Sequence, residues 1–176
     1  MVVILVYVDD FSITGDNITM INKAKATLHQ EFKLKDLGKL KYFLGIEVLK
    51  FAAGVILNQM KYILELISEI GLAGAKPAPT PLEVNAMLTS VEFDKATSTT
   101  GDVVLRDIIS YQILVGKLMY ATITRLDISY GVQILSQFTQ QPKRSHLEAA
   151  NRVIRYLKGI VGWGVWLKAQ PTADLM

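Results

Sequence analysis

Apolar residues run without interruption from Val2 to Val8, a β-branched block of strand length, such as sits buried in a sheet. Asp9-Asp10 breaks the run, the strand pattern resumes over Phe11-Ser12-Ile13-Thr14, and Gly15-Asp16-Asn17 closes it. Two short strands flanking an acidic pair predict a hairpin, although neither Asn-Gly nor Asp-Gly marks the turn. Asn17 suits the N-cap of a helix in which Ile18, Ile21, Ala24, Leu28 and Phe32 recur at helical spacing between lysines. Leu40, Tyr42, Leu44, Ile46 and Val48 alternate strictly, as a strand with one buried face does. After a turn over Phe51-Ala52-Ala53-Gly54, Val55 to Leu57 gives the returning strand.

Ile63, Leu66, Ile67 and Ile70 predict a further helix, ended by Gly71 in the left-handed position that helices favour at C′. Pro77, Pro79 and Pro81 bar any helical continuation. From there to Asp102 the chain is polar and rich in Thr and Ser, which reads as a linker or long surface loop. The rest reads as helical. Ile109, Ile113, Gly116 and Tyr120 share a stripe thickened by Leu114, Leu118 and Ala121, and Ile128, Gly131, Leu135 and Phe138 mark a second helix, stopped before Pro142. Ser145 and Glu148 have capping-box spacing ahead of a third helix, which runs through Lys158 to Gly159. Trp163, Val165 and Leu167 suggest a last strand that has nothing in this chain to pair with. The fold class is therefore α+β, without internal repeats.

At 176 residues, 51% hydrophobic and with mean hydropathy +0.30, the chain has the material for a sizeable core in one domain, or one and a half. This excludes a disordered tail. The absence of cysteine excludes disulfide scaffolds, thiol nucleophiles and thiolate-ligated zinc, and His29 and His146 are too few for a histidine metal cage. A net charge of +3 and a pI near 9.0 permit a nucleic-acid partner without demanding one. Val2–Val8 falls far short of the ~18 apolar residues of a bilayer span. It also has no basic n-region before it, so an intracellular protein, cytoplasmic or nuclear, is expected. Opening on the most apolar segment suggests a piece of something longer.

Tyr7-Val8-Asp9-Asp10 is the most informative tetrapeptide. Two ionised carboxylates about 4 Å apart repel by ~4 kcal/mol at an effective dielectric near 20. Keeping both ionised at the end of an apolar strand calls for a cation. Mg²⁺ fits, since it takes hard oxygen ligands, keeps several waters and bridges one or two carboxylates to phosphates. Paired ions of this kind clamp the attacking and leaving oxygens of phosphoryl transfer. A solvated, inert Asp-Asp turn is the alternative reading of the tetrapeptide by itself.

Further blocks narrow the choice. Leu5-Val6-Tyr7-Val8-Asp9-Asp10, Lys35-Asp36-Leu37-Gly38, Tyr42-Phe43-Leu44-Gly45-Ile46-Glu47-Val48 and Leu57-Asn58-Gln59-Met60-Lys61-Tyr62 follow one another. Lys76-Pro77-Ala78-Pro79-Thr80-Pro81-Leu82, Tyr111 to Leu118, Thr124-Arg125-Leu126-Asp127-Ile128, Ser145-His146 and Arg152 to Gly159 complete the series. In this order and over nearly the whole chain, the blocks resemble reverse transcriptases of the Ty1/copia retrotransposon type.

The resemblance implies a partial palm over residues 1–58, thumb-like helices over 59–125 with a proline-rich and polar loop at 74–104, and a connection over 126–176. Asp9 and Asp10 would be catalytic, metal-binding carboxylates of the palm, with two Mg²⁺ ions in the family's mechanism. Tyr7 and Val8 would lie near the primer end or incoming nucleotide. Phe43, Leu44, Gly45 and Ile46 look like the primer grip, and the helix around Val115-Gly116-Lys117-Leu118 is similar to a thumb helix that tracks the template–primer groove. The implied partners are an RNA or DNA template–primer, the upstream palm and fingers, and a ribonuclease H domain. The family's third carboxylate comes from a strand upstream of the Asp-Asp hairpin. The acidic block that opens the family's ribonuclease H domain is expected to be missing too, Asp174 by itself being no substitute for it, so Asp9 and Asp10 would be residual Mg²⁺ ligands and polymerisation is not expected of this chain by itself. Leu126 stands where the family usually has proline, losing a residue suited to a first helical turn.

Lys143, Arg144, Arg152, Arg155 and Lys158 cluster late in the sequence. Arg152, Arg155 and Lys158 share a helix face opposite Leu147, Ala150, Ile154 and Leu157, where they would neutralise phosphates or form an ordinary solvated face. A non-catalytic nucleic-acid-binding module built on that face, or a degenerate pseudogene product, is the alternative to the polymerase fragment. Lys33, Lys35, Lys39 and Lys41 read as a solvated edge. His146, beside a helix start, reads as structural or exposed rather than as a base for Ser110 or Tyr111. Trp163 and Trp166 read as core rather than as base-stacking residues, as large apolar strand residues usually are.

Overall fold

The computed structural model describes residues 1–8, 10–99 and 101–169, so Asp9, Thr100 and the tail holding Asp174 lie outside the described residues. The chain forms two compact units, Met1–Leu44 and a second from Gly45 onward. In the first, β1 (Val2–Tyr7) pairs antiparallel with β2 (Asp10–Gly15), with Val2 opposite Gly15 and Tyr7 opposite Asp10. Val8, which follows β1, takes a positive φ of 49°. The hairpin is the one the acidic pair predicts. Asn17 caps α1 (Ile18–Glu31), its Oδ1 accepting from the amides of Thr19 at 2.9 Å and Met20 at 3.3 Å. α1 packs on β2, and the Phe11 and Phe32 rings lie 6.1 Å apart.

The burial expected of Val2–Val8 is not found. Val3, Leu5, Val6 and Tyr7 are about half exposed, Val8 is 79% exposed, and no described residue of the first unit is buried. A continuous apolar run predicts a strand, but a two-stranded ribbon with one helix has too little surface to cover both its faces. The single strand expected over Leu40–Val48 is also divided. β3 (Tyr42–Phe43) and β4 (Ile46–Phe51) flank Leu44 and Gly45, whose φ values of 49° and 74° suit a primed two-residue turn.

In the second unit β4, β5 (Gly54–Asn58) and β6 (Gly164–Lys168) form an antiparallel sheet with β5 between its neighbours. Glu47 stands opposite Asn58, and Asn58 opposite Gly164. The last strand thus has a partner after all, one so distant in sequence that strand patterning could not reveal it. Trp163 and Trp166 are 64% and 45% exposed rather than core, Trp166 lying 6.1 Å from the Phe51 ring.

α2 (Met60–Glu69) ends as expected: the Gly71 amide donates to Ser68 O and the Leu72 amide to Ile67 O, a Schellman closure with Gly71 at φ 74°. The polar stretch beyond is not all loop. Ser90 caps a short helix, α3 (Val91–Thr97), whose seven residues are too few to show a periodic stripe. α4 (Ile108–Ala121), a short 3-10 turn (Leu126–Ile128), α5 (Ser129–Ser136) and α6 (Arg144–Gly159) complete the unit.

The core lies among these helices. Ile63, Leu66 and Ile67 of α2 meet Leu114, Val115 and Leu118 of α4, Val132 and Leu135 of α5, and Val153, Ile154 and Leu157 of α6. Only part of the stripe expected on α4 is buried: Leu114, Leu118 and Ala121 are, together with Tyr111 and Val115, whereas Ile109 and Ile113 are 69% and 52% exposed and Gly116 is exposed. A helix apolar around most of its girth offers two faces to periodicity, and sequence cannot choose between them. The cap of α6 also differs. Lys143, not Ser145, is the N-cap, and its amide donates to His146 Nδ1 at 3.0 Å. Among the described residues no helix is long and apolar enough to cross a membrane.

Candidate functional site

The β1–β2 register fixes the hairpin tip. Tyr7 and Asp10 are directly opposite, which in an antiparallel pair puts their side chains on the same face. Tyr7, Val8 and Asp10 are all exposed. The Asp10 carboxylate accepts no hydrogen bond from, and forms no ion pair with, any other described residue. Among the described residues no group of three or more His, Cys, Asp or Glu could hold a metal ion. An exposed carboxylate adjoining a second in sequence still suits Mg²⁺, which takes one or two carboxylates and completes its shell with water. Asp9 and Asp10 are the residues that would hold it.

The turn over Phe43, Leu44, Gly45 and Ile46 consists of half-buried residues. In the second unit a Cβ built on Gly45 would lie 3.0 Å from the Tyr120 hydroxyl of α4. Tyr120 packs edge-on against Tyr62 at 5.0 Å, and the Tyr62 hydroxyl donates to Lys117 O at 2.9 Å. Burial, helped by Tyr120 and Glu69 nearby, pushes the Tyr62 pKa up to about 12, so the donor keeps its proton. Gln59, fully buried, donates to Tyr120 O at 3.3 Å and accepts from Thr124 Oγ1 at 2.7 Å. Glu47 of β4 accepts from the Lys61 amide at 3.0 Å and Asn58 from the Met60 amide at 3.0 Å, capping α2. Gln59, Tyr62 and Thr124 stand in the sequence only as parts of the resembling blocks and Tyr120 only as part of the α4 stripe, because contacts between residues so far apart along the chain leave no local signal.

The basic residues are engaged with the protein itself. Lys117 pairs with Glu69. On α6, Arg152 donates to Glu83 Oε1 at 3.0 Å and Thr80 Oγ1 at 3.1 Å, and Lys158 donates to the carbonyls of Ala73 and Ala75. The Arg155 carbonyl accepts from the Ala78 amide at 3.2 Å, and the Nε atoms of Arg152 and Arg155 are buried. This face is half-buried under residues 73–83, where the prolines bar a helix. Arg152→Ala is therefore expected to lower the melting midpoint measurably, by about 1 kcal/mol of stability, besides any effect on ligands. Lys143 likewise is buried between Asp94 at 2.5 Å and Asp102 at 3.4 Å, and Arg144 pairs with Glu148 in solvent. Ser110 donates its amide and hydroxyl to Asp107, the N-cap of α4, the Tyr111 hydroxyl donates to Leu135 O, and buried His146 stacks on Phe138, which leaves these residues structural roles.

Arg125 is a second buried cation, gripping Asp127 with Nε at 3.0 Å and Nη2 at 2.6 Å while Nη1 reaches Ile160 O. The neighbouring Leu126, 69% exposed, opens the 3-10 turn without proline.

Residues 1–84 match the family model described as reverse transcriptase (RNA-dependent DNA polymerase). The chain is 39% identical over 175 residues to a retrovirus-related Pol polyprotein from transposon RE1 of Arabidopsis thaliana, covering 99% of this chain and 11% of that one. It is 37% identical, with the same coverage, to the corresponding polyprotein from transposon RE2 of the same plant. To that from transposon TNT 1-94 of Nicotiana tabacum it is 33% identical over 164 residues, 92% of this chain and 12% of the relative. No solved structure matches. Residues 1–84 thus belong to the reverse transcriptase family, and the chain as a whole is a relative of copia-type, retrovirus-related Pol polyproteins. It spans about a tenth of the length of the Pol polyproteins it matches.

Proposed function

We propose that this chain is the part of an RNA-directed DNA polymerase that carries the paired palm carboxylates, the primer grip and a thumb helix. One observation carries the reading: an exposed hairpin tip in which Tyr7 faces Asp10, within the segment matching the reverse transcriptase family. Asp9 and Asp10 supply hard oxygens for Mg²⁺, which when bound supplies charge stabilisation to the attacking and leaving oxygens of nucleotidyl transfer. Tyr7, sharing a face with Asp10, and Val8 offer apolar surface to the primer end or incoming nucleotide. Residues 43–46 form the primer grip.

The exposed apolar side of α4 supports its reading as the thumb. Ile109, Ile113 and Met119 are each more than half exposed, and a Cβ on Gly116 would meet nothing within 4 Å. Such a face favours burial, at roughly 25 cal/mol per Å² of apolar area, and the bare glycine lets a backbone approach closely. The partners in this reading are an RNA or DNA template–primer and the other palm, fingers and ribonuclease H parts of a Pol polyprotein.

Fluorescence anisotropy tests it with two labelled RNA–DNA duplexes, one with a recessed primer 3′ end and one blunt. With Mg²⁺ at low salt the recessed duplex is expected to bind about tenfold more tightly. Affinity for both should fall as salt rises, and Asp9→Asn or Asp10→Asn should abolish the Mg²⁺ effect. Equal affinity for both duplexes, with and without Mg²⁺, overturns the proposal.

A further inference from the structure

We infer that the face of the β4–β5–β6 sheet that carries Phe51 and Trp166 is a stacking platform for an unpaired RNA strand. The choice of ligand rests on the polymerase reading above, while the platform stands on its own residues. The register builds it. Leu49 lies opposite Ile56 and Ile56 opposite Trp166, so these three side chains share one face of the sheet. Phe51 and Lys168, two residues beyond Leu49 and Trp166, stand on the same face. Strands β4 and β6 flank β5 and so lie roughly 10 Å apart. Their rings nevertheless meet, with centroids 6.1 Å apart. Gly54, opposite Phe51, leaves the room: a Cβ there would come within 2.9 Å of Trp166 Cζ2 and 2.2 Å of Leu167 O.

The platform is open. Phe51 is 56% exposed, Trp166 45% and Leu49 44%, and the two rings are inclined at 55° rather than stacked on each other, so π surface remains for a third ring. Charge decides the occupant. The three strands hold two cations, Lys50 and Lys168, and one carboxylate, Glu47. Glu47 sits at the other end of β4 from Phe51 and is taken up by the Lys61 amide. Lys168 is exposed and forms no ion pair with any described residue. Aromatic faces beside an unpaired cation match the alternating bases and phosphates of a single strand, whose bases stack whatever their identity. A duplex has its bases already stacked on one another and offers this face its phosphates alone. A protein surface laid over the rings would bury Lys168 without a partner, at a cost in desolvation.

The chain holds two tryptophans, so Trp163→Phe leaves Trp166 as the sole indole and makes its emission a reporter of this face. In the full chain carrying that substitution, an oligouridylate of about 12 nucleotides is expected to quench the emission saturably at low salt. A blunt RNA–DNA duplex is expected not to. Phe51→Ala should weaken the oligonucleotide about tenfold, and Lys168→Gln about threefold with a shallower salt dependence. Lys168→Gln should melt within about 2 °C of its parent, since it alters one exposed side chain, and it decides the matter if Phe51→Ala does not fold. Absence of quenching, or undiminished affinity in Lys168→Gln, overturns the platform. Quenching by oligothymidylate alone overturns the choice of RNA. Emission that shifts with protein concentration before RNA is added, and that RNA does not alter, assigns the face to a second copy and overturns the proposal likewise. A recessed-end preference that survives while quenching is absent removes this inference and leaves the polymerase reading standing, whereas quenching without that preference does the reverse.

Discussion

Asp127→Ala is expected to cost about 3 kcal/mol and to lower the melting midpoint on the order of 10 °C. The reason lies in its partner. Arg125 is 2% exposed, and its guanidinium can be charged at that depth only because Asp127 accepts from two of its nitrogens and Ile160 O from a third. The Tyr156 hydroxyl donates to the same carboxylate at 2.8 Å, and its ring lies 5.8 Å from the guanidinium carbon. Truncating Asp127 strands a buried cation, and the loss sits at the lower end of such effects because the carboxylate itself is about a third exposed. Asp127→Asn, which keeps an acceptor, should cost less. The decisive comparison is Arg125→Met combined with Asp127→Ala. Removing the charge together with its partner should leave the protein more stable than Asp127→Ala does, as urea midpoints would show. A double variant as damaged as the single one would mean that packing, not charge, governs this corner. The pH dependence has a definite sign. Burial raises the Asp127 pKa, but hydrogen bonds from Arg125 and Tyr156 outweigh it and hold the carboxyl below the usual range. Its contribution is thus present above about pH 4 and is lost as pH falls further.

The elements of this fold were legible in the sequence wherever one local rule decided them. Asn17 before an amphipathic run, Gly71 after one and an acidic pair between two short strands each named their structure, and each is found. What was not legible depends on distant surface. The pattern of Val2–Val8 is that of a buried strand whether or not anything covers it. The stripe on α4 was drawn too wide, taking in exposed Ile109 and Ile113 because they are as apolar as buried Leu114 and Leu118. The charges of α6 looked like a solvated stripe because the segment that receives Arg152 and Lys158 lies far earlier in the chain. The candidate site divides the same way. Tyr7, Asp10 and the 43–46 turn stand out as motifs, whereas Gln59, Tyr62 and Tyr120 act through contacts across more than fifty residues of sequence.

Acidification should weaken the second unit in two stages, and His146→Gln should remove the first. His146 is fully buried at the start of α6, where its Nδ1 accepts from the Lys143 amide and therefore carries no proton. The one proton of the neutral ring then sits on Nε2, which donates to Thr89 O at 3.1 Å. Protonating Nδ1 would abolish the helix cap and place a second cation beside buried Lys143. Burial first, and Lys143 next, hold the His146 pKa below its ordinary 6.5, against the opposing pull of Thr89 O, Asp102 and Asp94. A histidine held neutral by the fold contributes stability that is fully present above its unfolded pKa and fades as pH falls through about 6.5. One proton limits the slope to about 1.4 kcal/mol per pH unit. Asp94 and Asp102 then act at lower pH. Hydrogen bonds from Lys143 and Thr89 depress Asp94, and those from Ser145 and Lys143 outweigh burial at Asp102, so their share is lost as pH falls below about 4. Glutamine at the third helical position can still reach back to the N-cap amide but cannot titrate in this range. Urea midpoints between about pH 7.5 and pH 5 should therefore decline for the parent and stay level for His146→Gln, although the variant starts lower through loss of the Phe138 stack. Parallel declines would show that the His146 ring does not govern the first stage, and a level parent would show that the buried cap tolerates the proton.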